Sequence, residues 1–350
     1  MTSTLSNSAL SNSADQWALE PVDCERSEWT DLLSRVPHLV FHEPAWARVL
    51  ATGFQTEVFC FVIRLSGEVV GGALGLRLQR AGISLGQFGL HYGGMIGQAP
   101  PGAVLAALLR DYGRAQGLIE VRLVGFPGEN CVVPAGAIVQ EDQTQILDLT
   151  DADEDALQAG YHTNIRRNLL RAERAGVEIR QVNTIQGADT LYALFQAAMR
   201  IKRAPVKYPA AYLRSLVSEL EPLGCVRCLL AYHQDRPVGG TLVVDSDQMT
   251  HFLFNGSLPE ARQHRPNEAL MHTHILRALE RGQQQFDFLP SGIDNAGVVR
   301  FKEKWGPRPV PIQHRFLGVY PLRSRLLRWG LTVSQWGPVR RIAGRLLHGR

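Results

Sequence analysis

No stretch of the 350 residues approaches the roughly 20 uninterrupted apolar positions that a helix needs to cross a bilayer, so the chain offers no spanning segment. Cysteine is scarce. Its five copies, an odd number and widely scattered, argue against a disulfide framework and for a reducing, cytoplasmic setting. The first thirteen residues are Ser, Asn and Thr with little else; they lack the basic and apolar blocks of an export signal and read as a disordered tail. Gly-x-Ser-x-Gly and Gly-x-x-x-x-Gly-Lys are both absent, which removes support for a serine hydrolase or a P-loop enzyme. Cys225 and Cys228 lie in a strand pattern, where residues three apart face opposite sides, and no second pair accompanies them, so zinc is not expected. His272 and His274, two apart on a helical pattern, point away from one another.

What is present describes a globular protein. Apolar residues make up 45% and charged residues 20%, and the length suits two domains better than one core. The net charge of +4 is unevenly placed: residues 321–350 carry seven arginines and no acid, which leaves −3 for everything before them. In that segment Leu322, Leu326, Trp329, Val333 and Trp336 recur at i, i+4, i+7, i+11 and i+14, one apolar stripe on a helix. Gly337-Pro338 interrupts it, and Val339, Ile342, Ala343, Leu346 and Leu347 form a shorter second stripe. A basic amphipathic helix of this kind suits an anionic membrane surface, and equally suits docking on the protein's own body or on a partner.

The two halves repeat. Glu68–Leu74 ("EVVGGAL") reads like Arg236–Leu242 ("RPVGGTL") 168 positions later, and each follows a turn between β-rich runs, so each predicts a hairpin. Leu108-Leu109-Arg110 up to Gly117 resembles Ile275-Leu276-Arg277 up to Gly282, each a helix closing on glycine and followed by a strand, 118–124 and 284–289. The offset stays within 165–168. The pattern predicts two α/β domains of one ancestry with a boundary near 149–155, where "DLTDADEDAL" interrupts it.

Several short stretches, in order, carry a family likeness: "FHEPAWARVL" (41–50), "HYGGM" (91–95), "IRRNLLRAERAGVEI" (165–179), "RPVGG" (236–240), "RPNEAL" (265–270), "ALERGQQQFDF" (278–288) and "VRFKEKWG" (299–306). Through them the chain resembles the FemAB/FemX-type acyltransferases, nearest the FemAB-like subgroup associated with exopolysaccharide and exosortase systems. The resemblance spans roughly 35–320. It implies an α/β (α+β) fold of two tandem GNAT-like domains, each a mixed β-sheet flanked by helices. The expected division is a disordered tail (1–15), an N-terminal GNAT-like domain (16–150), a C-terminal GNAT-like domain (151–320) and a basic amphipathic helical tail (321–350). It also implies transfer of an aminoacyl or other acyl group onto an amine of a small molecule or cell-envelope precursor. The co-substrate would be aminoacyl-tRNA or acyl-CoA, with no tightly bound cofactor and no metal. A cytoplasmic location follows, with peripheral contact at the inner membrane face through 321–350 as a further expectation.

There are departures. Leu289-Pro290-Ser291 stands where the subgroup usually has Gly-Arg-Ser, and the glycine loop of acyl-CoA-binding GNATs is missing from Arg262–Asn267. The second weakens an acetyl-CoA reading and leaves the donor open. A CoA-dependent transferase for polysaccharide or lipid assembly remains the enzymatic alternative, and a non-catalytic scaffold that binds membrane or partner is the other.

Acyl transfer to an amine builds negative charge on the carbonyl oxygen, and a fixed cation aimed there is the largest catalytic aid. The resemblance assigns that role to Lys302 of the Phe-Lys pair, with Phe301 and Trp305 excluding water. Residues 298–305 are expected to form a strand that turns Lys302 toward a cleft near Asn267 and Tyr92, partly exposed. Asp287 reads either as a positioning base in the same cleft or as a strand-end acid paired with an arginine. Arg167, Arg171 and Arg174 share one helix face, with Arg166 beside them, either gripping phosphates or simply solvated. Asn267 is expected to cap a helix whose N-terminus holds an anion, flanked by Arg262 and Arg265. Tyr92 and Gly93 offer a phenol donor and close backbone approach to a ligand, or a tight turn; Ser291 completes the substrate-contacting set.

Overall fold

The computed structural model describes residues 16–335 apart from 81, 202–203, 207 and 292–295. The second apolar stripe of the tail therefore lies outside the described residues, as does Trp336 of the first. In the first half the chain runs β1 (Trp17–Pro21), α1 (Ser27–Leu33), α2 (Pro44–Phe54), β2 (Val58–Leu65), β3 (Glu68–Arg80), β4 (Ile83–Phe88), β5 (Ile96–Gly97), α3 (Gly102–Ala115), β6 (Glu120–Val124) and β7 (Ile138–Asp148). It continues through α4 (Glu154–Gly160), α5 (Thr163–Arg174), β8 (Glu178–Gln181), α6 (Ile185–Ile201), α7 (Ala210–Leu220), β9 (Val226–His233), β10 (Arg236–Asp245) and β11 (Met249–Ser257). The last elements are α8 (Pro266–Glu280), β12 (Gln285–Asp287), α9 (Ala296–Glu303), β13 (Arg308–Gly318) and α10 (Pro321–Gln335). Among the described residues no helix is long and apolar enough to cross a membrane.

The repeat seen in the sequence is a repeat of geometry. The β2–β3 and β9–β10 hairpins turn on Ser66-Gly67 and Gln234-Asp235, all four with positive φ, the turn that matches the right-handed twist of a hairpin. Gly71 pairs with Ile63 and Gly239 with Ala231, each one residue past a bulge in the same register. Gly117 and Gly282 both end their helices in the left-handed conformation, and the next residue bonds back to the helix, Leu118 N to Gly113 O and Gln283 N to Ala278 O.

The strands join in one sheet of order β1-β2-β3-β4-β6-β13-β7-β12-β11-β10-β9-β8, with β5 added to β3. The order is close to a palindrome. In each half the strand after the helix runs parallel to its inner neighbour, β6 to β4 and β12 to β11. The closing strands are exchanged: β7 lies antiparallel to β12, β13 lies antiparallel to β6, and β7 and β13 pair with each other from Arg308–Ile146 to Phe316–Ile138. Across the halves α2 packs on α7, closely enough that a Cβ on Gly53 would sit 2.8 Å from Tyr212 Cα. Trp29, Trp46, Phe41, Tyr212 and Leu216 are buried in that layer.

Candidate active site

The strands β11 and β12 run parallel over only three pairs, Met249–Gln285, Thr250–Phe286 and His251–Asp287. Beyond them β11 bulges at Leu253 and stays with β10, while the other strand leaves the sheet through Phe288 and Leu289. A wedge opens at the carboxyl ends of two parallel strands, where open α/β sheets hold ligands.

Asp287 sits at its apex, fully buried. A carboxylate survives such burial only when hydrogen bonds replace its water. Four groups do so: Tyr92 Oη donates to Oδ2 at 2.6 Å, Thr144 Oγ1 to Oδ1 at 2.5 Å, the Leu289 amide to Oδ1 at 3.0 Å, and His251 Nδ1 lies 3.1 Å from Oδ2. These come from the HYGG loop, β7, the strand exit and β11, so both halves of the chain hold one carboxylate. Burial, then the Asp287 charge, pushes the Tyr92 phenol far above its ordinary pKa, which keeps it a donor. His251 continues outward. Its Nε2 lies 3.0 Å from Ser246 Oγ, which also accepts from the Val40 amide at 3.0 Å. Ser246 lines a cleft of about 1040 Å³ between the segment Val36–Val40 and the β10–β11 turn. A hydrogen-bonded line thus runs from that cleft through His251 to Asp287 and Tyr92.

Lys302 enters from the other side. It lies on α9, 7% exposed, and its Nζ donates to the Leu289 carbonyl at 2.6 Å. An ammonium has three N–H donors, and this is the one bond it makes among the described residues. Burial lowers its pKa to about 8, against the pull of Asp287. Leu289, whose amide and carbonyl both serve this cluster, has φ of +59°, a conformation that costs a bulky side chain energy. Phe301 and Trp305 stand beside Lys302 with Tyr161, the Trp305 ring 6.1 and 5.0 Å from the other two. Trp305 Nε1 and Ser291 Oγ are buried with no partner among the described residues. His91, half-buried between Phe41 and Trp46, has its pKa lowered to about 4 by desolvation and by His251, so it stays neutral.

Residues 159–303 match the family model described as an acetyltransferase (GNAT) domain. Among solved structures the chain is similar to FemX, at 14% identity over 87% of this chain and 99% of that one, with a TM-score of 0.62. It is also similar to a tandem GNAT protein from the clavulanic acid biosynthesis pathway, at 15% identity over 87% and 99% with a TM-score of 0.56. A third is the C-terminal domain of a putative lysylphosphatidylglycerol synthetase from Agrobacterium fabrum, at 14% over 89% and 97% with a TM-score of 0.54. No curated protein sequence matches.

The chain has the fold of FemX and of the tandem GNAT protein, and its second half matches a GNAT domain.

In that fold the expected site residues fall into two groups. Lys302, Asp287, Tyr92, Phe301 and Trp305 come together, with Ser291 two residues past Leu289. Several expectations change. Residues 296–303 are a helix, not a strand, because β12 and β13 point the same way on either side of β7 and a connection between parallel strands must cross over the sheet. Lys302 is buried, not partly exposed. The Tyr92 phenol is committed to Asp287 and is not a free donor; among the described residues Asp287 pairs with no arginine. Gly93 is a backbone requirement: with φ of +71°, it brings its carbonyl onto His42 Nε2, and a Cβ there would lie 2.4 Å from His42 Cε1.

The second group lies at α5 and α8. Arg265 caps α8 in the left-handed conformation, φ +57°, with Pro266 at the first helical position, so Asn267 falls inside the first turn rather than at the cap. Asn267 donates to Ser257 Oγ at 3.1 Å, and Arg265 lies 3.8 Å from Glu268; Arg262 is exposed. Arg166, Arg167, Arg171 and Arg174 are exposed on α5, opposite buried Ile165 and Ala172, and Arg167 bonds Asn164 at 2.5 Å. Among the described residues these arginines pair with neither Glu173 nor Glu178; Glu178 pairs with Arg180. Helix α5 joins α8 through Asn168 and buried Glu268 at 2.9 Å.

His251, Thr144 and Ser246 escaped the sequence reading. A histidine in the apolar run "THFLF" was a usable signal for the first; Thr144 gave none, since strand exchange alone brings β7 beside β12.

Proposed function

We propose that this protein is an N-acyltransferase of the FemAB type, in which an acceptor amine attacks an activated acyl donor bound in the β11–β12 wedge. The observation that carries this reading is Lys302: a buried cation with one donor engaged and others free to meet a growing oxyanion, placed where the strands part. The amine nitrogen bonds to the acyl carbon and the carbonyl electrons move to oxygen, facing Lys302. The proton lost by the nitrogen passes toward the Asp287–His251 line. Collapse breaks the bond to the leaving group, which takes up a proton, and no enzyme-bound acyl intermediate forms. Tyr92, Thr144 and Leu289 are positioning groups that hold Asp287.

For the donor we favour an aminoacyl ester such as aminoacyl-tRNA. Arg262–Asn267 contains no glycine, and the Glu268 carboxylate occupies the first turn of α8, a negative charge where a pyrophosphate would seek the helix N-terminus. The basic face of α5 beside α8 suits a nucleic-acid end. The acceptor would be an amine of a small molecule or envelope precursor. The domain reading is 16–150 and 151–320 with exchange of their closing strands. An acyl-CoA donor is the second reading, favoured by the match to an acetyltransferase (GNAT) domain and by the likeness to the clavulanic acid pathway protein, whose structure was solved without AcCoA. Transfer from charged tRNA to an amine, abolished by ribonuclease, is the expected result; tight acetyl-CoA binding by calorimetry, with transfer from it, would reverse the choice of donor.

A further inference from the structure

Helix α10 presents its two faces differently. Ser324 Oγ donates to the fully buried Glu120 carboxylate at 2.7 Å, and Arg328 Nε donates to the same oxygen at 2.8 Å. The Arg328 guanidinium lies over the Phe316 ring at 3.9 Å, and Gly318 lets Ser324 come close. The polar face thus fastens the helix to β6 and β13. Glu120 is at the start of β6, so the anchor is built into the central sheet. The apolar stripe looks the other way: Leu322, Leu326 and Trp329 are 75%, 68% and 69% exposed. Of the two sequence expectations for this helix, docking on the body is met by the polar face, and the stripe is left without a protein partner among the described residues.

An outward apolar stripe held rigid by a buried anchor is costly in water and needs something to cover it. We propose that α10 is a docking surface for an anionic lipid bilayer, lying in the plane of the headgroups. Charge selects this occupant. Arg323 and Arg325 are exposed beside the stripe, Arg323 stacked on Tyr320 at 5.2 Å, and residues 321–350 hold seven arginines and no acid. A second copy of this chain could cover the stripe with its own α10 only by setting two arginine-rich segments without acids against each other, whereas an anionic bilayer supplies both acyl chains and negative headgroups. Trp329 on the stripe is the side chain that prefers the interface between them.

The test uses the full chain and sedimentation with vesicles of phosphatidylcholine alone or with added phosphatidylglycerol. Binding to the anionic vesicles, weakened by salt, is expected. Leu322→Ser, Leu326→Ser and Trp329→Ser together should weaken it by about tenfold or more, since three exposed apolar side chains lose their lipid contact. Because the three side chains are largely exposed, circular dichroism and unfolding of the triple variant should match the parent. Undiminished binding by the folded variant would mean that the basic terminus acts alone and would overturn the proposal. So would failure to bind anionic vesicles at low salt, or a dimer in solution that the three substitutions dissolve.

Discussion

At the scale of residues, Lys302 is the sharpest test. A buried cation facing an oxyanion contributes about as much as one oxyanion-hole donor, so Lys302→Met should slow turnover by about 10²–10³. Its fold should survive: the variant loses one hydrogen bond to Leu289 but no longer buries a charge. Lys304→Ala, on the same segment, should change turnover little. The pH profile separates a cation from a base. With a pKa of about 8, Lys302 is charged below that value and neutral above it, so turnover carried by its charge should fall as pH rises through about 8. A rate that rises through the same range would make Lys302 the base instead. The stability term has the opposite sign. Because the folded pKa lies below the ordinary 10.5, burial of the charge weighs against folding below about pH 8, and that cost fades as pH climbs toward 10.5. Gly93→Ala tests the backbone: a left-handed φ and a Cβ against His42 should together cost about 3 kcal/mol, read by denaturant unfolding.

At the scale of elements, β11 and α8 make separate predictions. His251→Gln keeps an amide able to donate to Asp287 but cannot carry a proton on to Ser246. Turnover should fall by about 10²-fold or less, with the amine KM little changed and the pH profile flattened. A parallel loss of KM and stability would instead mark His251 as packing. On α8, Glu268→Gln keeps an acceptor for Asn168 and removes a charge from the helix N-terminus. Pyrophosphate-bearing ligands should then bind about two- to fivefold tighter, a difference calorimetry resolves. The sequence reading went wrong at a third element, α9. "VVRFKEKW" carries β-branched residues, yet Val298, Phe301, Lys302 and Trp305 fall at i, i+3, i+4 and i+7, a helical face that a lysine in its middle disguises.

At the scale of the whole molecule, the exchange of β7 and β13 ties the halves together. Neither half closes its own sheet: β12 ends against β7, and β6 against β13. Calorimetry should therefore show one cooperative unfolding transition, and two resolved transitions would mean that the halves are independent. Ending the chain after Gly306 removes β13, leaving β6 and β7 with unpaired edges and Glu120 without α10. That truncated chain should fail to fold, or aggregate, when expressed.

Local chemistry was legible in the chain. The Gly71-Gly72 and Gly239-Gly240 hairpins and the glycine-ended helices follow from turn chemistry and periodicity, which act over a few residues, while Asp287, Lys302 and Trp305 were picked out only through the ordered motifs of the resemblance. Which groups meet was not legible. Tyr92 reaches Asp287 across 195 positions and Thr144 across 143, and those contacts exist only because the two halves trade their closing strands. A buried carboxylate needs donors wherever the sheet delivers them, and delivery is decided by strand order, which no local pattern encodes.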